Sequence, residues 1–230
     1  MIRSVLYLLL GTIMVPSLSA ISTESWESSL TDHQKEDLLS GKQVMIEVDI
    51  PGKPWPCFTI HKLVDATPED VAAVFWNCEL APAYVPNCIS VKIISRPSPG
   101  IIEAEYTLKM PFFLPNEIYL SRNELTSPTT GSYKISWHVD QSRYIRKSIG
   151  NILLQPARNG TLISYTNFVE PSSKFSRLLR SKAGEEVMAS VGALKRQIMN
   201  ESHQPSPLLL KQVEDLRLSL QVPPPKRPIQ

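Results

Sequence analysis

The chain has no HxxxH, CxxC or GxSxG spacing, and its four histidines, His33, His61, His138 and His203, stand apart from one another. Chelation by paired imidazoles or thiols and the nucleophile elbow of serine hydrolases therefore have no motif behind them. There is no glycine-rich phosphate loop, so no nucleotide cofactor is implied, and no catalytic residue, metal ligand or cofactor is assigned at any position. Charge of one sign is also lacking. The 24 basic and 22 acidic residues leave a net charge of +2, too little to gather polyanions, and nucleic acid is excluded as a bulk partner. No apolar run reaches the roughly 20 residues needed to span a bilayer core.

The longest apolar run, Val5 to Val15, follows Arg3 and precedes Pro16, Ser17, Ser19 and Ala20. That order is the pattern of a cleavable signal peptide over residues 1–20, and a secreted or periplasmic location is expected. Export bears on the three cysteines, Cys57, Cys78 and Cys88. In an oxidising compartment Cys78 and Cys88, which flank a stretch carrying Pro82 and Pro86, are placed to pair as a disulfide and leave Cys57 free. The alternative is three small buried hydrophobes.

Residues 21–43 read as a polar, loosely helical lead-in. Val44, Ile46, Val48 and Ile50 alternate with Met45, Glu47 and Asp49 as in a half-buried strand, and after Pro54-Trp55-Pro56 a second strand begins at Phe58, giving an antiparallel hairpin. Thr67, Pro68 and the pair Glu69-Asp70 form a helix start: a capping hydroxyl, a proline in the first turn and carboxylates at the positive helix end. Val71, Val74, Phe75 and Cys78 share a face of that helix, which Pro82 and Pro86 break into an elbow. Six runs of period two follow, from Ile89 to Val169, separated by short turns. Gly150 and Gly160 read as turn glycines. After Pro171, Ser172 or Ser173 caps a long helix whose stripe is Phe175, Leu178, Leu179, Ala183, Val187, Val191, Leu194 and Ile198. Gly184 and Gly192 inside it imply a cavity or close strand on that side, or plain tolerance. Residues 201–230 read as a proline-rich tail, extended or mobile, with a short amphipathic piece from Leu208 to Leu220.

Three stretches carry a resemblance: Val64 to Val71 running on through Asn77 to Asn87; Gly150 to Pro156 with Gly160 to Tyr165; and the long final helix. Over residues 44–200 this order resembles the START-like (SRPBCC) helix-grip superfamily, in particular its polyketide cyclase/dehydrase and coenzyme Q-binding branches. The resemblance implies an α+β fold in which an antiparallel meander wraps a long C-terminal helix around an apolar cavity. It implies no reaction. Asn77 stands where many relatives have an acidic residue, so no role for a carboxylate there is carried over.

The residues expected to touch a ligand are Tyr84, Tyr106, Leu108, Phe112, Phe113, Leu120, Arg122, Ile135, Trp137, Val187 and Val191. Arg122 and Glu124 share the period of Ile118 and Leu120. Either the cavity is wet and partly polar at that point, or a bulge shifts the face. The apolar loop 110–115, Met110-Pro111-Phe112-Phe113-Leu114-Pro115, reads as a lid over the cavity mouth, a tip making transient membrane contact, or a loop folded onto the elbow near Tyr84. The favoured function is an exported monomer that binds a hydrophobic or lipid-like small molecule. The rivals are a cyclase or dehydratase in which Tyr106 or Arg122 assists proton transfer, and an interaction scaffold with a filled cavity.

Overall fold

The computed structural model describes residues 30–110, 114–140, 142–157, 159–172, 180–202 and 206–221. The proposed signal segment, Phe112, Phe113, Phe175, Leu178 and Leu179 lie outside them. Eight strands form one antiparallel sheet: β1 Val44–Val48, β2 Cys57–Val64, β3 Cys88–Ser95, β4 Ile101–Leu108, β5 Glu117–Thr126, β6 Tyr133–Val139, β7 Ile145–Ala157 and β8 Gly160–Pro171. Their spatial order is β1-β2-β8-β7-β6-β5-β4-β3. The hairpin and the six-strand meander are thus joined by pairing of β2 with β8, from Cys57 opposite Phe168 to Val64 opposite Thr161.

Among the described residues, four α-helices accompany the sheet: α1 Asp32–Leu39, α2 Pro68–Trp76, α3 Arg180–Ser202 and α4 Pro207–Ser219. The Thr31 side chain accepts from the Gln34 amide, and the Thr31 amide donates to Gln34 Oε1, a capping box that starts α1. Thr67 caps α2 by accepting from the Asp70 amide, with Pro68 in the first turn. The helix ends at Asn77, and a 3-10 segment, Cys78–Ala83, makes the elbow. Val71, Ala72 and Val74 of α2, Ile135, Ile152 and Ile163 of the sheet, and Leu194 and Ile198 of α3 build the main core. A smaller cluster of Leu30, Leu38, Val44 and Leu162 lies under α1. The helix-grip arrangement expected from the sequence is the one observed.

Four expectations are corrected. First, Gly150 is not in a turn; it sits in the middle of β7, opposite Trp137 and Asn167. Second, no bulge interrupts β5 in its pairing with β4, and its inner face is Glu117, Tyr119, Ser121, Asn123 and Leu125, while Ile118, Leu120, Arg122 and Glu124 are exposed. Third, Cys78 and Cys88 are free thiols. Cys78 is buried, and the Cys88 thiol donates to the Ser90 carbonyl at 3.8 Å. Fourth, part of the segment read as an extended tail is helix α4, packed on α2 with Leu209, Gln212 and Leu216 buried. The Arg217 guanidinium grips Glu69 at 2.7 and 2.6 Å, and Trp76 Nε1 donates to Ser219 Oγ at 3.0 Å. The flanking prolines do not prevent a helix because Pro207 occupies the first turn, behind the Ser206 cap.

Candidate ligand cavity

A cavity of about 890 Å³ lies between the concave sheet face, α2, the elbow and α3. Strand period explains its walls. Alternate residues of β4, β5, β6, β7 and β8 point to one face, and the register lines them up in rows across the sheet. One row runs Ile102, Asn123, Trp137, Gly150, Asn167 and Phe58; the next runs Ala104, Ser121, Val139, Ser148 and Val169. The helices close the other side with Phe75 and Trp76 from α2, Tyr84 from the elbow, and Val187 and Val191 from α3.

Tyr84, Tyr106, Leu108, Ile135, Trp137, Val187 and Val191, all expected at the ligand, are brought together around this space. Leu120 and Arg122 are not. Leu120 is 53% exposed on the outer face, and Arg122 Nη1 donates to Glu103 Oε1 there at 2.9 Å. That outward position removes Arg122 from any proton-transfer role in the cavity. Phe112 and Phe113 lie outside the described residues, but Met110 and Leu114 on either side of them both line the cavity.

The centre of the wall is aromatic. Phe75 stacks on Tyr84 at 5.9 Å and meets Trp137 at 6.1 Å, Trp137 meets Tyr165 at 5.0 Å, and Tyr106 lies parallel to Tyr119 at 5.3 Å. Trp137 reaches its position because Gly150 has no side chain: a Cβ there would fall 2.5 Å from Trp137 Cε2 and 2.5 Å from the Thr166 carbonyl oxygen. Gly184 has a similar use on α3, where an added Cβ would meet Phe58 of β2 at 3.2 Å. Gly192 sits beside Gln43, ahead of β1, with ordinary clearance, so the close-strand explanation applies to Gly184 and is not required at Gly192.

Burial pushes the phenols of Tyr84, Tyr106, Tyr119 and Tyr165 upward, and it pushes the Cys78 thiol up to about 11, with the nearby Glu79 charge adding to the effect. These groups therefore stay protonated across the physiological range and are available as hydrogen-bond donors, not as bases. Among the remaining polar residues, Ser121 Oγ donates to Asn123 Oδ1 and Asn123 Nδ2 donates to the Ile102 carbonyl, each at 3.3 Å. Glu117 Oε2 accepts from the Tyr144 amide at 3.0 Å.

Sequence reasoning missed Trp55, Phe75, Tyr119, Tyr165, Glu117 and Asn167 as wall residues. The signal for Tyr165 was present, since it shares the period of Ile163 in β8. For Glu117 no signal existed, because a charge at the head of a strand reads as solvated.

No family model matches the sequence, and no curated protein is similar to it in sequence. Solved structures are similar in shape. A STAR-related lipid transfer protein from Xanthomonas axonopodis matches with TM-score 0.61 at 14% identity, over 68% of this chain and 93% of that one. Human STARD10 matches with TM-score 0.52 at 16% identity, over 74% of this chain and 76% of that one. The di-domain ARO/CYC StfQ from the steffimycin biosynthetic pathway matches with TM-score 0.52 at 14% identity, over 63% of this chain and 51% of that one. At such identities the likeness is one of fold: the chain has the START-like helix-grip fold.

Proposed function

We propose that this protein is an exported monomeric carrier that holds one hydrophobic or lipid-like small molecule between its sheet and α3. The observation behind this reading is the cavity itself, whose volume of about 890 Å³ falls in the range of ligand sites, roughly 300–1,000 Å³. Its walls are mainly aromatic and aliphatic, and a fold stabilised only by packing would fill such a space with side chains. Neighbours named for lipid transfer support the class of ligand, and the Val5–Val15 run behind Arg3 supports export. Contact of the 110–115 loop with a membrane during loading belongs to the same proposal. A carrier is favoured over the cyclase reading because Arg122 faces away from the cavity, paired with Glu103 on the outer face.

Native mass spectrometry of protein purified from its source tests the proposal directly. The expected result is an adduct of a single apolar molecule that organic extraction removes. Val187→Trp, which places an indole into the cavity from α3, is expected to abolish the adduct while the protein stays folded. Purified protein with no adduct and no uptake of the neutral fluorophore N-phenyl-1-naphthylamine would overturn the carrier reading in favour of a scaffold.

A further inference from the structure

Among the described residues, the carboxylates and basic groups that line the cavity are all of one sign. Its described wall residues include Glu117 and Glu186 and no lysine, arginine or histidine. Glu186 is exposed on α3, but Glu117 is 1% exposed. It opens β5, beside Leu108 in β4, with Tyr119 and Tyr144 among its cavity neighbours. Only half of its carboxylate is used. Oε2 accepts the Tyr144 amide, whereas Oε1 is buried and has no hydrogen-bond partner.

A buried carboxylate is unfavourable unless donors or a positive charge compensate it. Ser121 and Asn123 offer Glu117 nothing in the contacts they make, since they bond to each other and to the Ile102 carbonyl. The other orphan among the cavity residues, Asn167 Oδ1, is also an acceptor. Among the described side-chain atoms shielded from solvent, those of the wall left without a partner are both acceptors. A fatty acid would bring a second carboxyl group, itself rich in acceptors, towards the unpartnered Glu117 Oε1. A protonated amine would satisfy Oε1 with a charge-assisted bond and would lie close to tyrosine rings that favour cations.

We infer that Glu117 anchors the polar end of the ligand and that this ligand is a lipophilic amine, with its apolar part along the Phe75, Trp137 and Tyr165 rings. The inference rests on the carrier reading above and specifies the ligand class it takes. Its test is displacement of N-phenyl-1-naphthylamine from the full chain by dodecylamine, dodecanol and dodecanoate, each below its aggregation concentration. Dodecylamine is expected to bind at least about tenfold more tightly than dodecanoate. Glu117→Gln keeps an acceptor for the Tyr144 amide and removes the charge. It should weaken dodecylamine by about tenfold or more and leave the fluorophore and dodecanol unchanged within about threefold, a small change for ligands without charge. Equal or tighter binding of dodecanoate by the wild type, or an amine affinity indifferent to Glu117→Gln, would overturn the inference while leaving the carrier reading intact. If neither the fluorophore nor any of the three compounds binds the wild type, the carrier reading itself fails. Should the variant not fold, the order of amine and acid on the wild type decides alone.

Discussion

Replacing Gly150 by alanine adds one methyl group in the middle of β7. The new Cβ would fall 2.5 Å from the Thr166 carbonyl oxygen and 2.5 Å from Trp137 Cε2. The carbonyl belongs to the neighbouring strand and is fixed by the ladder, so Trp137 must move. Overpacking of this kind costs about 1–3 kcal/mol. Tilting the indole also weakens its contacts with Tyr165 at 5.0 Å and Phe75 at 6.1 Å, each worth about 0.5–1.5 kcal/mol beyond area burial. Removing a strand glycine returns roughly 0.5–1 kcal/mol. The net expectation is a loss of about 1–5 kcal/mol, which for a chain of this length lowers the melting temperature by roughly 2–20 °C. Calorimetry reads the loss, and near-ultraviolet circular dichroism reads the displaced indole. A variant as stable as the wild type with an unchanged aromatic spectrum would refute the assignment of Gly150 as the seat of Trp137.

Three further outcomes are expected. Arg217→Ala removes the two-pronged contact with Glu69 and should cost about 1 kcal/mol, with hydrogen exchange in residues 207–219 accelerated before that of α2; unchanged protection would show that apolar contacts alone hold α4. Burial holds the His61 imidazole below its ordinary value, so the folded state keeps it neutral while the unfolded chain takes up a proton below about pH 6.5. Its contribution is therefore complete above that pH and is lost as pH falls further; melting temperature measured from pH 7.5 to 5 should decline less steeply in His61→Gln. Iodoacetamide at pH 8 should modify Cys57 and Cys88, both partly exposed, before Cys78, which is buried with a thiol near 11; a peptide map showing Cys78 joined to Cys88 would contradict the free thiols.

The strands were readable because period two survives wherever one face is dry, and Thr67-Pro68 announced α2 by capping chemistry alone. The face of β5 was misread for a physical reason. Ile118 and Leu120 look like core residues, yet they are 55% and 53% exposed, while Glu117, Ser121 and Asn123 point into the fold. A cavity wall does not obey the rule for a packed core, since space and mutual hydrogen bonds accommodate polar groups inside. In β5 the pattern is inverted for that reason, and Leu120 and Arg122 were placed at the ligand in error. Helix α4 was underestimated because its stripe, Leu209, Val213 and Leu216, is short and follows a proline. Its stability comes from α2, a partner that local sequence does not reveal.

The union of β2 with β8 has a consequence for synthesis on the ribosome. Thr59 and Thr166 lie 107 residues apart and their hydroxyls meet at 3.1 Å, so the first hairpin has no sheet to join until nearly all the strands have emerged. At roughly 5–20 residues per second, the wait is about 5–20 s. During that interval Phe58, Ile60 and Val64, all buried at the end, stay uncovered beside an unpaired strand edge. Such an edge readily recruits the wrong partner. Nascent chains halted before β8 should therefore bind holding chaperones through residues 57–64, and release should follow once residues 160–171 have left the exit tunnel.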